Sequence, residues 1–519
     1  MCILTILGSC KKDTDVPAPN PPGNSGGTTV TALKDAADFP IGVAVSSQLI
    51  TDPAYAAVVK RDFDAVTFEY QMKHGAIVQS NGTLNFTNAD ALVAAAGSMD
   101  VFGHTLLWHQ NQNAAYLRNF TGITLAAGPE LLSNGGFENG LTGWSVFNTG
   151  NPAGTSTLAA TNLAGDARSG TGALKVVNPT AYPGNPWRVQ FSSGNVTTTA
   201  GAQYTISFWV KAAAPAGSIR LSSGPTAPQY QGNQIIGTTY QQISWTITAS
   251  LPATTFLFDL GEVANTYYID DVSIKEVLST QSGPQVAAKV DEAMGTFITG
   301  TVNRYKNKVK AWDVVNEPFT DFPVALRNNG NTPIAPADVF IWSHYLGRDA
   351  ALKAFNYARA ADPTADLYMN DYNLESSNAK LDSIIAFVAE LRAKGAKIDG
   401  IGTQVHTSTT ANTTGIDNMM KKLAATGLKV RVSELDVRTS TSGDNAKALA
   451  IDQPAIYKYI VQSYLRNVPA PQRGGLTIWG VNDKNSWLYN NGAELPLLYD
   501  DAYNKKAAYG AVLQALLGR

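Results

Sequence analysis

The sequence predicts an α/β fold: a (β/α)8 TIM barrel that is interrupted after its third strand by an all-β jelly-roll sandwich domain. Residues 33–127 and 278–519 alternate short β-branched runs with Ala-, Leu- and Lys-rich stretches such as Ala379–Lys394, which indicates parallel strands joined by helices. Residues 128–277 are rich in Ser, Thr, Gly and Asn, and segments such as Tyr204–Lys211 alternate polar with apolar residues. Because that pattern is typical of a β-sandwich, we expect one domain to be inserted in the other.

The outer, interrupted domain contains eight strand-like segments, the number that a (β/α)8 barrel requires. They are Phe39–Val45, Ala65–Glu69, Asp100–Trp108, Lys310–Asn316, Asp366–Asn370, Gly400–His406, Lys429–Glu434 and Gly475–Val481. The insertion falls after the third of them. A surface loop tolerates an extra domain there if the two ends of the insertion lie close together.

The N-terminal segment predicts an anchor and a linker. Residues 1–10 are apolar and end in Leu7-Gly8-Ser9-Cys10, which is typical of a bacterial lipoprotein signal in which the cysteine is lipidated. No basic residues precede the apolar run, so we expect this signal to be truncated. Residues 11–32 are rich in Pro and Gly and are interpreted as a linker. We expect an extracellular or cell-surface protein, an outer-membrane lipoprotein whose membrane contact is a lipid anchor at Cys10.

Composition argues against several classes of function. The formal net charge is −2, from 39 basic and 41 acidic residues, and no basic stripe stands out, so nucleic acid is not an expected partner. The two cysteines, Cys2 and Cys10, both precede the folded body, which therefore can form no disulfide and no cysteine-bound metal site. The aromatic residues, 9 Trp, 21 Tyr and 18 Phe, suit a protein that stacks rings on an uncharged polymer, although most of them are expected in the core.

Polar residues collect where the predicted barrel strands end, and active sites of (β/α)8 barrels lie at these carboxyl ends. They are Glu69, His104, Trp108, His109, Asn316, Glu317, Asn370, Asp371, Gln404, His406, Glu434, Asp436, Trp479 and Trp487. Soluble barrels do not place so many carboxylates, imidazoles and indoles around one rim for stability. The sequence therefore predicts an active site on this rim.

Two glutamates within this cluster suit the cleavage of a glycosidic bond. Glu317 and Glu434 follow the fourth and seventh strands, which face each other across a barrel mouth. Such cleavage needs one carboxylic acid to protonate the leaving oxygen and one carboxylate to attack the anomeric carbon or activate water. We predict Glu317 as the general acid/base and Glu434 as the nucleophile.

Three neighbours are predicted to support this pair. His406 ends the adjacent sixth strand and can hydrogen-bond Glu434. Asp436 lies two residues beyond Glu434 on the same strand face and can polarise that histidine. Asn316 can donate a hydrogen bond to the 2-hydroxyl of the sugar, a bond that strengthens in the transition state.

Six segments of the outer domain resemble those of glycoside hydrolase family 10. Trp312–Glu317 (WDVVNE) and Val432–Val437 (VSELDV) resemble the acid/base and nucleophile segments of the family. The other four are Gly103–His109, Met369–Asn373, Ile398–His406 and Ile478–Asp483, in the order of the family. The resemblance implies a (β/α)8 barrel and a retaining endo-β-1,4-xylanase that acts by double displacement through a covalent glycosyl-enzyme intermediate. It implies no cofactor for catalysis.

The matching positions also imply which side chains hold the polysaccharide. Those on the nonreducing side would be Glu69, Lys73, His104 and Trp108. Those that wall the site or contact the sugar near the nucleophile would be Trp479, Trp487 and Gln404. Two features depart from the family pattern: Tyr70 stands where Asn is usual, and the run Gln110-Asn111-Gln112 leaves the register of a binding Gln open.

The inserted domain resembles carbohydrate-binding modules of the family 4/22 type at its two ends, Leu131–Gly140 (LLSNGGFENG) and Tyr267–Ile274 (YYIDDVSI). The resemblance implies a structural calcium, for which Glu138 and Asp271 are the matching candidates. An aromatic platform flanked by hydrogen-bonding groups suits a glycan, and the candidates are Trp187, Arg188, Gln190, Tyr230 and Glu262. The expected partners are xylan and xylo-oligosaccharides. A domain that only shapes the cleft is the alternative.

Two other functions fit parts of the sequence. An endo-β-1,4-glucanase on the same barrel is one, but Trp479 and Trp487 would crowd the C6 hydroxymethyl group of glucose, which xylose lacks. A non-catalytic surface protein that binds xylan is the other, and the intact pair Glu317 and Glu434 argues against it. A metal-dependent hydrolase is disfavoured because the five His residues show no His-Glu-x-x-His spacing. We expect a monomer.

Overall fold

The computed structural model describes residues 30–148, 155–224, 228–279, 283–334, 336–439, 445–489 and 492–519. The predicted signal at 1–10 and the predicted linker at 11–32, apart from residues 30–32, lie outside the described residues. Within the described ranges, no helix combines the length and the apolar character that a membrane crossing needs.

The strands fall into three groups along the chain. Those before the insertion are β1 (Ile41–Val45), β2 (Ala65–Phe68) and β3 (Asp100–Leu107). Those of the inserted domain are β4 (Leu125–Glu130), β5 (Trp144–Asn148), β6 (Thr157–Thr161), β7 (Ala173–Asn178), β8 (Val189–Ser193), β9 (Val196–Thr197), β10 (Gln203–Ala212), β11 (Gly217–Gly224), β12 (Tyr230–Ile236), β13 (Gln241–Thr248), β14 (Ala253–Asp259) and β15 (Asn265–Ser279). Those after it are β16 (Val309–Asn316), β17 (Asp366–Asp371), β18 (Gly400–Thr403), β19 (His406–Ser408), β20 (Lys429–Arg438) and β21 (Arg473–Ile478).

The described α-helices belong to the outer domain. They are α1 (Gln48–Thr51), α2 (Pro53–Asp62), α3 (His74–Ile77), α4 (Thr87–Ala96), α5 (Ala114–Thr121), α6 (Pro284–Tyr305), α7 (Trp342–Leu346), α8 (Asp349–Ala361), α9 (Asn378–Ala393), α10 (Thr413–Ala425), α11 (Asn445–Lys447), α12 (Gln453–Asn467) and α13 (Ala507–Leu516). Capping side chains set several starts. Ser377 accepts a hydrogen bond from the N–H of Lys380 before α9, and Asp52 accepts from the second and third residues of α2.

Eight parallel strands close the barrel in the order β1, β2, β3, β16, β17, β18, β20 and β21, and β21 pairs with β1. The predicted (β/α)8 barrel, broken after its third strand by an all-β domain, is therefore confirmed. Neighbouring strands pack closely because a small residue on one strand lies against a large side chain of the next. A Cβ atom on Gly103 in β3 would lie 2.1 Å from the fully buried ring of Trp312 in β16.

The inserted domain consists of two antiparallel sheets packed face to face. One has the order β13, β10, β15, β7, β6, with β4 beside β15; the other has the order β12, β11, β14, β8, β5, with β9 beside β14. The apolar core between them includes Phe191 stacked on Phe258, with ring centroids 4.3 Å apart. At the base of the domain, β4 pairs with β15, with Leu125 opposite Ser279. Because the chain enters and leaves side by side, the barrel accommodates the insertion.

Candidate active site

A cleft of about 830 Å³ lies where the barrel strands end. Most of the side chains predicted for catalysis or substrate binding line it: Glu69, Lys73, His104, Trp108, Asn316, Glu317, Gln404, His406, Glu434, Trp479 and Trp487. Asp436 is the exception, because it is fully buried and reaches the cleft through its hydrogen bonds with His406 and Trp487.

Glu434 is held as a carboxylate inside β20, where it is 4% exposed. Its Oε1 accepts a hydrogen bond from Asn370 Nδ2 at 2.8 Å, and its Oε2 lies 3.5 Å from His406 Nε2. Burial raises the pKa of Glu434, but the interactions with His104, His406 and Lys73 outweigh burial and hold that pKa below its usual value. An ionised carboxylate is the form that a nucleophile requires.

An interruption of the sixth barrel strand turns the His406 side chain toward the carboxylates of Glu434 and Asp436. Strand β18 ends at Thr403, and Val405 has a φ of 58°, a conformation that β-branched residues rarely adopt. The prediction that the sixth strand continues to His406 is therefore wrong. His406 instead begins β19, where it stands opposite Asp436 of β20, and its Nδ1 lies 2.8 Å from Asp436 Oδ2.

His406 lies between two carboxylates and an indole. Burial lowers the pKa of His406, but Asp436 and Glu434 outweigh burial and raise it to about 10. Trp487 Nε1 donates a hydrogen bond to Asp436 Oδ2 at 2.9 Å, and its ring meets the His406 ring edge to face with centroids 5.1 Å apart. The histidine therefore carries a positive charge, which interacts favourably with both carboxylates.

Glu317 projects from the end of β16 with a φ of 52°. Its N–H donates to the carbonyl oxygen of Asn370 at 2.9 Å, and its own carbonyl oxygen accepts from Arg327 Nε at 2.9 Å. Gln404 Nε2 donates to Glu317 Oε1 at 3.1 Å. Hydrogen bonds on both sides thus hold a strained backbone conformation and fix the direction of the carboxyl group.

A chain of side-chain amides connects the two glutamates. Gln404 Nε2 also donates to Asn316 Oδ1 at 3.3 Å, and Asn370 Nδ2 donates to the same oxygen at 2.8 Å as well as to Glu434. Ser433 Oγ donates to Asn370 Oδ1 at 2.7 Å and so fixes which way that amide faces. Among the described residues, no acceptor takes a hydrogen bond from Asn316 Nδ2, so this group can donate to a ligand. Both glutamates therefore face the same part of the cleft.

A half-buried carboxyl group, that of Glu69, and a buried ammonium group, that of Lys73, line another part of the cleft. Burial raises the pKa of Glu69 to about 7 although Lys73 is near, and burial lowers the pKa of Lys73 although three carboxylates surround it. The Lys73 ammonium lies 4.5 Å from the centroid of the Trp108 ring. Neither charged group has a hydrogen-bond partner in the part of the chain that the structure describes, so both can bind hydroxyl groups.

Asp313, which the sequence analysis missed, positions His104. Its Oδ2 lies 2.9 Å from His104 Nδ1, and both side chains are buried. The His104 ring meets the Trp479 ring edge to face, with centroids 5.3 Å apart. An acidic residue inside the apolar strand β16 could have indicated this role in the sequence, since a buried carboxylate requires a hydrogen-bond partner.

Other cleft residues differ from the prediction or were not predicted. Gln110 lines the cleft, whereas Gln112 is buried and donates through Nε2 to the carbonyl oxygen of Gln110 at 2.9 Å. Arg327 and Tyr372 also line the cleft, and Arg327 donates to the Tyr372 hydroxyl at 3.1 Å. Arg327 lies in a loop without a recognisable motif, so no sequence pattern indicated it.

One face of the second sheet in the inserted domain carries a polar row. Arg220, Asp259 and Gln190 stand opposite one another on β11, β14 and β8. Asp259 accepts hydrogen bonds from Arg220 at 2.8 Å and from Gln190 Nε2 at 2.6 Å. Exposed rings flank the row. Tyr230 lies 4.8 Å from the Arg220 guanidinium, and Phe147 stands opposite Gln190 on β5.

The other predicted glycan-binding residues lie close to one end of this row. The exposed Trp187 ring is 6.4 Å from the Phe147 ring, and the Arg188 guanidinium is 5.8 Å from the Trp187 ring. Glu262 accepts hydrogen bonds from the N–H of Gly184 at 3.0 and 3.2 Å, so it also holds a loop.

The predicted calcium ligands are engaged with other groups. Glu138 accepts hydrogen bonds from the N–H groups of Thr171 and Gly172, and Asp271 forms an ion pair with Arg168 at 2.8 Å. The described residues contain no group of three or more His, Cys, Asp or Glu that could hold a metal ion. Because calcium takes about six to eight oxygen ligands, these residues as placed do not fit the ion, and calcium stays a prediction.

Comparison with known proteins identifies both parts of the chain. The model of glycosyl hydrolase family 10 matches residues 30–128 and 275–515, and the model of a carbohydrate binding domain matches residues 129–260. Endo-1,4-beta-xylanase A of Cellvibrio japonicus (strain Ueda107) is 38% identical over 234 residues, which cover 41% of this chain and 38% of that protein. Endo-beta-1,4-xylanase Xyn10C of Cellvibrio japonicus is 36% identical over 248 residues, which cover 44% of this chain and 40% of that protein. The chain thus spans less than half the length of these two curated relatives.

Solved structures share the fold. Native xylanase10C from Cellvibrio japonicus has a TM-score of 0.56 at 24% identity, over 95% of this chain and 75% of that chain. Native xylanase 10B from Thermotoga maritima has a TM-score of 0.55 at 21% identity, over 94% of this chain and 98% of that chain. The chain belongs to glycosyl hydrolase family 10, with a carbohydrate binding domain inserted in its barrel.

Proposed function

We propose that the chain is a retaining endo-β-1,4-xylanase in which Glu317 is the general acid/base and Glu434 is the nucleophile. The observation that carries this proposal is the chain of amide hydrogen bonds, through Gln404, Asn316 and Asn370, that joins the two carboxyl groups in one cleft. The family membership and the names of the two curated relatives support xylan as the substrate.

The reaction follows from the two carboxyl groups. Glu434 attacks the anomeric carbon while Glu317 protonates the departing glycosidic oxygen, which gives a glycosyl-enzyme ester and a shortened chain. Glu317, now a carboxylate, takes a proton from water as that water attacks the same carbon and displaces Glu434. Two inversions give net retention of configuration. Asn316 Nδ2 donates to the 2-hydroxyl of the sugar in both steps.

Other side chains orient the reacting groups. Asn370 and His406 hold the nucleophile, and Asp436 keeps His406 charged. Gln404 donates directly to Glu317, so we assign it to orienting the acid/base, in addition to the predicted contact with sugar.

The proposed sugar contacts follow the lining of the cleft. Those on the nonreducing side are Glu69, Lys73, His104 and Trp108. The half-buried carboxyl group of Glu69 and the buried ammonium group of Lys73 pair with sugar hydroxyls, and the Trp108 ring stacks on a sugar face. Trp479 and Trp487 would crowd the C6 group of glucose, which xylose lacks, and this favours xylan over a glucan.

The inserted domain is proposed to bind xylan through its polar row and the flanking rings. The predicted contacts are Trp187, Arg188, Gln190, Tyr230 and Glu262, to which Arg220 and Phe147 are added. Attachment to a membrane through Cys10, an extracellular location and a monomeric state stay predictions.

Reducing ends released from xylan and from carboxymethyl-cellulose test the substrate, and the anomer that forms first, followed by NMR, tests the stereochemistry. We expect hydrolysis of xylan with the β-anomer first. Preferred hydrolysis of carboxymethyl-cellulose would make the chain an endo-β-1,4-glucanase. Tight binding of xylan without release of reducing ends would make it a non-catalytic xylan-binding protein.

A further inference from the structure

One side chain of the inserted domain forms hydrogen bonds with the barrel domain. Gln203 is the first residue of β10 and is 3% exposed. Its Nε2 donates to the carbonyl oxygens of Asn329, at 2.8 Å, and of Thr332, and its Oε1 accepts from the N–H of Ile334 at 2.9 Å. The amide thus satisfies its donor and acceptor groups on the backbone of a single loop.

That loop is part of the cleft. It begins at Glu317, at the end of β16, and leads to α7. Its residues Arg327, Thr332 and Pro333 line the same cleft as the two glutamates. Residues 329–334 therefore contact the inserted domain and also form a wall of the cleft.

The loop has a local turn of its own. Asn328 Oδ1 accepts from the N–H of Gly330 at 2.7 Å, and the N–H of Thr332 donates to the carbonyl oxygen of Asn328 at 3.1 Å. These bonds fix the shape of the turn but not its place against the barrel. Barrel side chains hold that place through longer bonds, from Arg118 Nη1 to the carbonyl oxygen of Ile334 at 3.3 Å and from the N–H of Asn329 to His344 Nδ1 at 3.4 Å. Gln203 adds shorter bonds from the inserted domain, at 2.8 Å to Asn329 and 2.9 Å from Ile334.

Close packing accompanies the hydrogen bonds. A Cβ atom on Gly330 would lie 3.3 Å from the carbonyl oxygen of Gly201, so the two backbones approach closely at glycine. Leu125 and Val277, at the base of the inserted domain, pack against the small apolar cluster that includes Ile334. The contact therefore excludes water around the Gln203 amide, which strengthens its bonds.

We propose that the inserted domain has a second function besides glycan capture: through Gln203 it braces the wall at 329–334 and so increases the affinity of the cleft for long xylan chains. Gln203 is a positioning residue, since it acts through the loop. If the wall is already ordered before the substrate binds, the binding free energy does not include the entropic cost of ordering the wall. The effect on xylan affinity rests on the proposed xylanase function. The contact between Gln203 and the loop does not depend on that function.

Two variants of Gln203 and a matched control test the proposal in the full chain. Gln203→Ala removes the amide, and Gln203→Glu keeps its size but sets a carboxylate oxygen against two carbonyl oxygens. Gln241→Ala is the control, because the Gln241 amide also bonds backbone groups, those of Ile235 and Gly237, entirely within the inserted domain.

The readouts are kcat and KM on xylohexaose and on 4-nitrophenyl xylobioside. One net hydrogen bond corresponds to a factor of about five in an equilibrium constant, and the barrel's own bonds to the loop limit the loss to about one such bond. We therefore expect both Gln203 variants to raise KM for xylohexaose by roughly five- to tenfold, with kcat on the short aryl substrate within about twofold of wild type. An unchanged KM, an equal loss on both substrates, or the same effect in Gln241→Ala contradicts the proposal.

Hydrogen exchange of the Ile334 amide tests the brace without any substrate. We expect it to exchange roughly tenfold faster in Gln203→Ala, which lacks the accepting oxygen, than in wild type, while amides of the barrel strands keep their protection. Unchanged exchange would overturn the brace. If the wild-type protein does not cleave xylohexaose, the proposed xylanase function is wrong. The hydrogen-exchange result would then be the test of the brace.

Discussion

Asn370 Nδ2 donates to Glu434 Oε1 at 2.8 Å and, at the same distance, to the amide oxygen of Asn316. One buried amide therefore orients both the proposed nucleophile and the side chain proposed to hold the 2-hydroxyl of the sugar. The bond from Ser433 to Asn370 Oδ1 leaves that amide only one orientation. The geometry of the reacting centre thus depends on a residue that has no chemical role in the reaction.

Asn370→Ala should therefore lower kcat/KM on xylan by roughly 10²–10³-fold, the range seen when one preorganised donor is removed. Loss of a donor also raises the pKa of Glu434, so the acid limb of the pH–rate profile should move to higher pH. The pH dependence of kcat/KM measures both effects. Asn418→Ala, on the surface of α10, is a control, and an acid limb that stays in place in Asn370→Ala would contradict this role.

Glu317→Ala should fold normally and should lower kcat on xylan by roughly 10²–10⁴-fold, because the departing sugar then leaves without a proton. The first step on an aryl xylobioside with a nitrophenol leaving group should suffer much less, since that group leaves as an anion. Steady-state kinetics on both substrates, with circular dichroism as the check on folding, make the comparison. Near wild-type turnover of xylan would show that the acid/base assignment is wrong.

His406 should make the stability of the protein depend on pH. Its pKa is raised from 6.5 to about 10 in the folded state, so its stabilising contribution is fully present below pH 6.5 and is lost as pH rises through about 10. The difference in free energy of unfolding between wild type and His406→Gln should therefore shrink over that range. Urea titrations at several pH values measure it. A difference that stays constant, or grows, would show that His406 is neutral in the folded protein.

Trp487 should determine discrimination between xylose and glucose units. Trp487→Ala opens space for the C6 hydroxymethyl group and should raise the ratio of kcat/KM on cello-oligosaccharides to that on xylo-oligosaccharides by roughly tenfold. The substitution also removes the 2.9 Å hydrogen bond to Asp436. Trp487→Phe is the control, because it loses that bond but keeps an aromatic ring. An unchanged ratio in Trp487→Ala would mean that other residues exclude glucose.

The barrel could be predicted from local patterns, since each strand is a β-branched run followed by a helix. The break at Val405 could not. Positive φ values are usually indicated by Gly or Asn, and nothing in the run Gly400–His406 marks a valine for that conformation. Glu317 also has a positive φ. Val405 and Glu317 both lie at the candidate site, where the surrounding hydrogen bonds hold conformations that local preference disfavours.

The candidate site could be predicted in its outline, because residues at strand ends share a rim whatever the details of packing. Its hydrogen-bond partners could not. His104 binds Asp313, which is 209 residues away in the sequence, and Gln203 binds Asn329 across a domain boundary. Such contacts depend on strand register and on how two domains pack, and neither leaves a pattern in a short segment of sequence.

The most direct test of the proposed pair is to trap the covalent intermediate. A 2-deoxy-2-fluoro xylobioside with a good leaving group slows hydrolysis of the glycosyl-enzyme, and peptide mass spectrometry then locates the sugar. We predict a single adduct on the peptide that contains Glu434, and none in Glu434→Gln. An adduct on another residue, or no adduct together with formation of the α-anomer, would contradict the account.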